Sequence, residues 1–414
     1  MRCVLRVMRF IALIVLGATV WGFLFFNPNP ATRNSQLAYA QTSDEAFEQF
    51  KREQEQAFQE YSEQTTREYE AFVKAEREAF ERFKDEVERK WREFVGSTKK
   101  DWVEYRRGLN ARSQVDFERG TAKVEVLIEV SEKKDVSAKL QEAVVDLVTD
   151  RGTSLDYSVP LPDGTVDEPQ PLGDKPVLEG QVVTRDGKPV TLANAAAFAK
   201  EVVDAGRVKN NEKIVGRDGK ERVKVSVTFS LVPNHLRRRA ERYVSLVKRY
   251  AQRFDLETPL VFAMIHTESH YNPKARSSAP AYGLMQLVPT SGGRAAYKYV
   301  YKKDKVLPPS YFYVPEKNIE LGCGYLQFLR RKVFRGVQDD RKALYCIVAA
   351  YNTGAGNVSR AITGNRGVRK AIPLIEGMSA KDLYARLRKD LPYKETREYI
   401  KKVTERMTLY EEWR

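Results

Sequence analysis

Glu268 is the residue whose surroundings most resemble a chemical site. The residues leading to it, Leu260-Val261-Phe262-Ala263-Met264-Ile265, are apolar, and no Asp or Glu follows until Asp304. A lone carboxyl group beside apolar surface holds its proton above the ordinary range, which suits it to donate that proton to a reacting atom. Three further islands downstream are hard to explain by packing alone: Gly283-Leu284-Met285-Gln286, Ala350-Tyr351-Asn352-Thr353-Gly354-Ala355-Gly356, and Glu395-Thr396-Arg397-Glu398-Tyr399-Ile400-Lys401-Lys402-Val403.

The elements that must position Glu268 are legible around it. Thr258-Pro259 reads as an N-cap followed by a proline in the first turn of a buried helix. Asn272-Pro273 stops that helix, and the turn formers from Ser277 to Gly283 fold the chain back past its end. His266 and His270 flank Glu268 at helical spacing and raise the question of a zinc site. Glu268 lies two residues from each, roughly 200° around the helix and facing away. The remaining histidine, His235, supplies no evident third ligand, so neither metal nor cofactor is expected.

Charge separates the chain into parts. Residues 233–414 carry 35 Lys and Arg against 17 Asp and Glu, a surplus of +18, whereas residues 41–232 sum to −7. A basic region suits an anionic partner: nucleic acid, a membrane surface or a carboxylate-rich polymer. Residues 1–40 read as an export signal, with Arg2, Arg6 and Arg9 before the apolar run Phe10 to Phe26 and a small-x-small site at Ala38-Tyr39-Ala40. Retention of that run as an anchor is the competing reading. Export disfavours nucleic acid as the partner. Cys323 and Cys346, each in an apolar helical pattern, read as buried thiols, with a disulfide between them in an oxidising compartment as the competing reading.

From residue 41 to 110, Phe47, Phe58, Tyr69, Phe80, Trp91 and Trp102 recur every eleven residues, and Phe50, Tyr61, Phe72, Phe83, Phe94 and Tyr105 follow three positions later. Eleven residues make three helical turns, so the spacing predicts one long amphipathic helix with an aromatic stripe. The stripe packs on the rest of the chain or contacts cell-wall or membrane partners. Residues 111–232 alternate in hydropathy around 123–130 and 222–229, with helical patterns at 137–148 and 192–203 and a Pro- and Gly-rich excursion at 160–188. This predicts a small α+β accessory domain, its Lys/Glu alternation lying on a solvated strand face. Residues 233–414 carry helical patterns only, at 236–254, 259–269, 289–301, 316–334, 341–351, 380–389 and 395–413. The fold class is therefore α+β and multidomain.

In order and spacing, the four islands resemble the lytic murein transglycosylases of the soluble-enzyme and lysozyme-like superfamily, over about residues 240–405. Arg112-Ser113-Gln114-Val115-Asp116-Phe117-Glu118-Arg119-Gly120 and its surroundings are similar to the N-terminal domain of a membrane-bound subgroup. The resemblance implies a lysozyme-like catalytic domain, peptidoglycan glycan strands as partner, and Glu268 as the catalytic acid/base. It implies substrate contacts for Ser277, Met285, Gln286, Tyr351, Asn352 and Tyr399, with Ser269, Gly283 and Glu395 structural beside the site; side-chain type makes Met285 and Leu284 core residues. Members of the subgroup carry a lipid-anchoring cysteine after the leader, whereas here Cys3 precedes the apolar run, which argues against such an anchor. Pro280-Ala281-Tyr282 stands where many members place Gly-Ala, a stiffer entry to the turn.

Retaining glycosidases need a second carboxylate about 5 Å from the acid, and inverting ones a base about 6.5–9.5 Å away. The loop after Glu268 offers neither, so the nucleophile comes from the substrate, as its acetamido carbonyl or its C6 hydroxyl. The resemblance implies the second outcome, a 1,6-anhydro product from a MurNAc–GlcNAc bond. The alternatives are a hydrolytic muramidase using Asp304, Glu316 or another distant acid, and a non-catalytic peptidoglycan-binding scaffold.

Overall fold

The computed structural model describes residues 69–414 except 130–135, 162–163, 206–208 and 278–280, together with a few isolated positions from 49 to 67. The leader, the first two aromatic repeats (Phe47, Phe50, Phe58 and Tyr61) and Pro280 lie outside the described residues. Thr65–Arg414 forms one compact unit. Among the described residues no helix is long and apolar enough to cross a membrane.

Residues 69–90 form helix α1, whose buried stripe of Phe72, Glu76, Ala79, Phe83 and Val87 recurs every three to four positions. The helix ends there, where Lys90 donates to the Gly108 carbonyl and the Trp91 indole to the Leu109 carbonyl. The expected helix through residue 110 is corrected: the chain bends at 91–93 and enters strand β1, Asp101–Arg106. The aromatic period crosses this boundary unbroken, but its meaning changes. Trp102 and Tyr105 would share a helix face, whereas a strand points residues three apart to opposite sides. Trp102 joins the core on one side of the sheet, and Tyr105 stacks with Phe94 under α1 on the other.

The sheet is antiparallel throughout, ordered β1, β2 (Ala111–Asp116), β3 (Thr121–Glu129), β5 (Glu221–Ser230), β4 (Lys209–Val215). Helices α2 (Val136–Thr149) and α3 (Ala195–Asp204) bury the face bearing Val124, Val126, Ile128, Val225 and Val227. The opposite face carries Leu127 and Ile214 against Phe83, Val87 and Trp91 of the N-terminal segment. The Lys/Glu alternation of β3 is therefore only partly solvated: Lys123 and Glu129 reach solvent, whereas Glu125 between them does not. Glu125 is buried and bonds Arg112 at 2.6 Å, with the guanidinium 4.4 Å from the Trp91 ring centre.

The C-terminal region is helical: α4 (His235–Glu241), α5 (Val244–Arg253), α6 (Thr258–Ser269), α7 (Arg294–Tyr301), α8 (Pro309–Tyr313), α9 (Pro315–Phe328), α10 (Asp340–Thr353), α11 (Ala355–Thr363), α12 (Val368–Gly377), α13 (Ala380–Asp390) and α14 (Lys394–Met407). Ten of the twelve α6 residues are buried, as an all-round apolar sequence requires of a central helix. The pattern expected as one helix at 236–254 breaks at Arg242-Tyr243, and the last helix gives way to a 3-10 turn at Thr408–Trp413. The pair α11 and α12 was not anticipated, because Gly354 reads as a simple stop. It does end α10 at φ 84°, but a new helix starts at the next residue.

Buried polar groups join the lobes. Lys274 lies between Glu104 at 3.0 Å and Asp156 at 2.5 Å. Arg239 packs on the Phe117 ring and donates to the carbonyls of His270 and Tyr271. The Asn272 amide donates to the Thr98 and Asp101 carbonyls, both at 3.1 Å.

Candidate active site

Helix α6 begins one residue earlier than its sequence suggests, with Glu257 at the N-cap and Pro259 in the first turn. It ends because His270 adopts a left-handed conformation, φ 51° and ψ 35°. Glu268 thus sits in the last turn with its side chain only 6% exposed. One carboxylate oxygen, Oε1, accepts a 2.6 Å hydrogen bond from the Tyr399 hydroxyl of α14. The other, Oε2, faces the Lys99 ammonium at 3.8 Å. Burial raises the Glu268 pKa; Lys99 and the Tyr399 hydroxyl oppose that shift, and the Glu395 carboxylate adds to it. The net direction is upward, as proton donation near neutrality requires.

The turn beside the acid is held from three sides. Ser269 donates from its hydroxyl to the Leu284 carbonyl at 2.8 Å, tying the helix end to the turn. Gly283, at φ 76°, presses so closely on α8 that a Cβ would stand 2.0 Å from the Phe312 carbonyl oxygen. Asn318 of α9 accepts from the Met285 amide and donates to the Tyr282 and Phe312 carbonyls. Met285 itself is fully buried, its thioether against Gly322, so its side chain belongs to the core, and what it presents to the site region is backbone. Its carbonyl accepts from the Tyr351 hydroxyl at 2.7 Å.

Gln286 takes a positive φ of 49° and donates from Nε2 to the Ala275 and Gly283 carbonyls, both at 3.0 Å. Its Oε1 is buried without a hydrogen-bond partner among the described residues. An orphaned buried acceptor is costly and suits a site that receives a donor from a ligand. Tyr351 is half-buried on α10; desolvation first, then the Glu268 charge, hold its phenol pKa well above the ordinary value. Asn352 bridges α10 to α14 by accepting from the Thr396 hydroxyl at 2.7 Å. Ser277 is fixed through its amide, which donates to the Ala281 carbonyl at 3.2 Å. Glu395 lies exposed on the first turn of α14.

Three residues of this arrangement escaped sequence reasoning. Thr396 falls inside a quoted island without its own role having been recognised, and Asn318 is a polar residue within an otherwise buried helix stretch, a signal that could have been weighed. Lys99 has no such signal: it lies in an unremarkable Ser-Thr-Lys-Lys segment 169 residues before Glu268. The two acids considered as second carboxylates are engaged elsewhere. Asp304 bonds Arg294 at 2.6 Å and Lys298 at 2.9 Å, and Glu316 bonds Arg249 at 2.7 Å. His266 bonds the Tyr410 hydroxyl, and the described residues contain no group of three or more His, Cys, Asp or Glu placed to hold a metal. Cys323 and Cys346 are buried free thiols.

Residues 65–242 match the family model of the membrane-bound lytic murein transglycosylase C N-terminal domain, and residues 245–372 match the transglycosylase SLT domain. The membrane-bound lytic murein transglycosylase C of Serratia proteamaculans (strain 568) is 32% identical over 314 residues, covering 75% of this chain and 82% of that protein. This chain belongs to the membrane-bound lytic murein transglycosylase C family. The Pectobacterium atrosepticum member is 33% identical over 309 residues, 73% of this chain and 80% of its own length. Among solved structures, the 70 kDa soluble lytic transglycosylase of Escherichia coli is 26% identical over 41% of this chain and 24% of that one, with a TM-score of 0.31. As a member of that family, with an SLT domain, the protein is a lytic transglycosylase, a lyase. The junction of the two family matches falls at Tyr243-Val244, the break between α4 and α5, so α4 goes with the N-terminal domain.

Proposed function

We propose that this lytic transglycosylase cleaves the MurNAc–GlcNAc β-1,4 bond of peptidoglycan with a single carboxyl group, that of Glu268, and leaves a 1,6-anhydro-MurNAc end. The observation that carries the reading is the setting of Glu268: buried, its pKa raised, in direct contact with the Tyr399 hydroxyl and the Lys99 ammonium, and reached by the Glu395 carboxylate through charge alone. In the first step the Glu268 proton passes to the glycosidic oxygen as the bond to C1 breaks. In the second, the resulting carboxylate takes the proton of the C6 hydroxyl while that oxygen bonds to C1. Atoms balance without water, and Glu268 ends protonated as it began.

Tyr399 donates to the carboxylate and so favours the state between the two steps. Gln286, with its open acceptor, and Ser277, Tyr351 and Asn352 form the sugar-facing wall, with the backbone of Met285 beneath. Ser269, Gly283 and Glu395 hold or bias that wall. The surplus of +18 in residues 233–414 matches a polymer whose peptide stems carry carboxylates. The leader and the membrane-bound name of the relatives support action in the cell envelope.

Digestion of purified sacculi with analysis of the fragments by mass tests the reading. Fragments lighter by one water than hydrolytic products are expected. Hydrated ends would establish a muramidase instead, and E268Q is expected to bind sacculi without cleaving them. Cleavage by E268Q would remove Glu268 from the acid role.

A further inference from the structure

Lys99 reaches the active site from the accessory domain, whose sheet takes in β1 and the loop before it as well as the strands of residues 111–232. It precedes β1, and its Nζ stands 3.8 Å from Glu268 Oε2, on a side chain 37% exposed above one that is 6% exposed. The placement is built rather than incidental. Asn272, four residues after Glu268, grips the backbone on both sides of Lys99 by donating to the carbonyls of Thr98 and Asp101, both at 3.1 Å. Thr98 and Asp101 close the same short loop through a 2.7 Å side-chain bond, and Lys100 is drawn off by Glu118. The residue that anchors the loop therefore lies on the same return of chain that carries the acid.

We propose that Lys99 is a positioning residue for the catalytic acid, so that the accessory domain completes the active site instead of merely accompanying it. The proposal rests on the reading of Glu268 as sole acid and base. Among the described residues, the charged and titratable groups that act on Glu268 come from three elements. Tyr399 and Glu395 approach from α14, Tyr351 from α10, and Lys99 from the accessory loop. Arg406, also on α14, turns instead to the Thr267 hydroxyl at 3.0 Å. Among the described residues Lys99 is the cation paired with the carboxylate that forms when the proton leaves for the glycosidic oxygen. Placing it there steadies the anionic state that must survive until C6 is deprotonated, at the expense of some resting protonation.

The consequence is a pair of opposed effects. Removing the cation raises the pKa of the resting acid, so the alkaline limb of the rate profile moves to higher pH. It also leaves the carboxylate between steps less stable, so the plateau rate falls. The test uses the full chain and purified glycan strands, with kcat and KM followed against pH for wild type, K99M and K99R, and thermal melting as a folding control. For K99M the limb shifts upward and kcat falls on the order of tenfold, while KM stays within about twofold. K99R restores both the limb and most of the rate.

An unmoved limb in K99M overturns the proposal even where the rate falls, and so does a change in KM alone. Failure of K99R to restore the limb overturns it as well. E268Q in the same series separates the two claims. A dead E268Q beside a K99M profile identical to wild type sinks the role of Lys99 alone, whereas an active E268Q sinks the single-acid reading beneath it.

Discussion

At the scale of single residues, the proposed chemistry depends on how two neighbours share the Glu268 carboxylate. The Tyr399 hydroxyl bonds Oε1 at 2.6 Å inside a buried site, and a charge-assisted bond of that kind favours the ionised acid. Tyr399→Phe keeps the ring and removes the bond. Glu268 then holds its proton more strongly, so the alkaline limb of kcat/KM moves to higher pH while kcat falls about tenfold. The melting temperature should change little, because the phenyl ring still fills its place between α6 and α14. A pH-rate series on Y399F checks the prediction, and an unshifted limb would show that the hydroxyl serves packing or substrate contact instead.

At the scale of elements, the turn from Gly283 to Gln286 depends on Asn318. Its amide satisfies the Met285 N–H and the Tyr282 and Phe312 carbonyls at 2.7 to 2.9 Å in a fully buried setting. Asn318→Leu strands all three groups and is expected to cost about 3 kcal/mol or more, read from urea unfolding, with activity falling further than the folded fraction does. This explains why much of the site was legible in the sequence and part of it was not. The acid, its helix and the turn are local, so Pro259, the apolar run and Gly283 announce them. Tyr351 and Tyr399 were found because their surrounding motifs are specific. Asn318 and Lys99 act across folded distance, where spacing carries no message. The aromatic period misled for a different reason: eleven-residue spacing fits a helix, yet nothing in it forbids the last repeat from entering a strand, where Trp102 and Tyr105 serve opposite faces of the sheet.

At the scale of the whole molecule, the accessory domain can supply Lys99 only while it stays docked, and the docking surface contains an ionisable cluster. Lys274 is enclosed between Glu104 and Asp156, with Arg106 bonded to Asp150 nearby. The carboxylates hold the Lys274 pKa above its ordinary value against the opposing effect of burial, so the lysine stays charged. Burial is the main cause that lifts Glu104 from 4.5 to about 8, with Lys274 opposing and the Asp156 and Asp150 charges adding to it. A carboxyl whose folded pKa exceeds its unfolded one contributes stability that is fully present below the unfolded value and is lost as pH rises through the folded value. Docking should therefore weaken between about pH 4.5 and 8, the window set by that shift. Glu104→Gln keeps an acceptor for the Lys274 ammonium and removes the titration. Urea midpoints measured across the window should fall with pH more steeply for wild type than for E104Q, and the stability gained by the variant should grow toward the alkaline end. A wild-type-to-variant difference that stays constant with pH would mean that Glu104 is ionised throughout, and that the lobes are joined by a fully charged cluster.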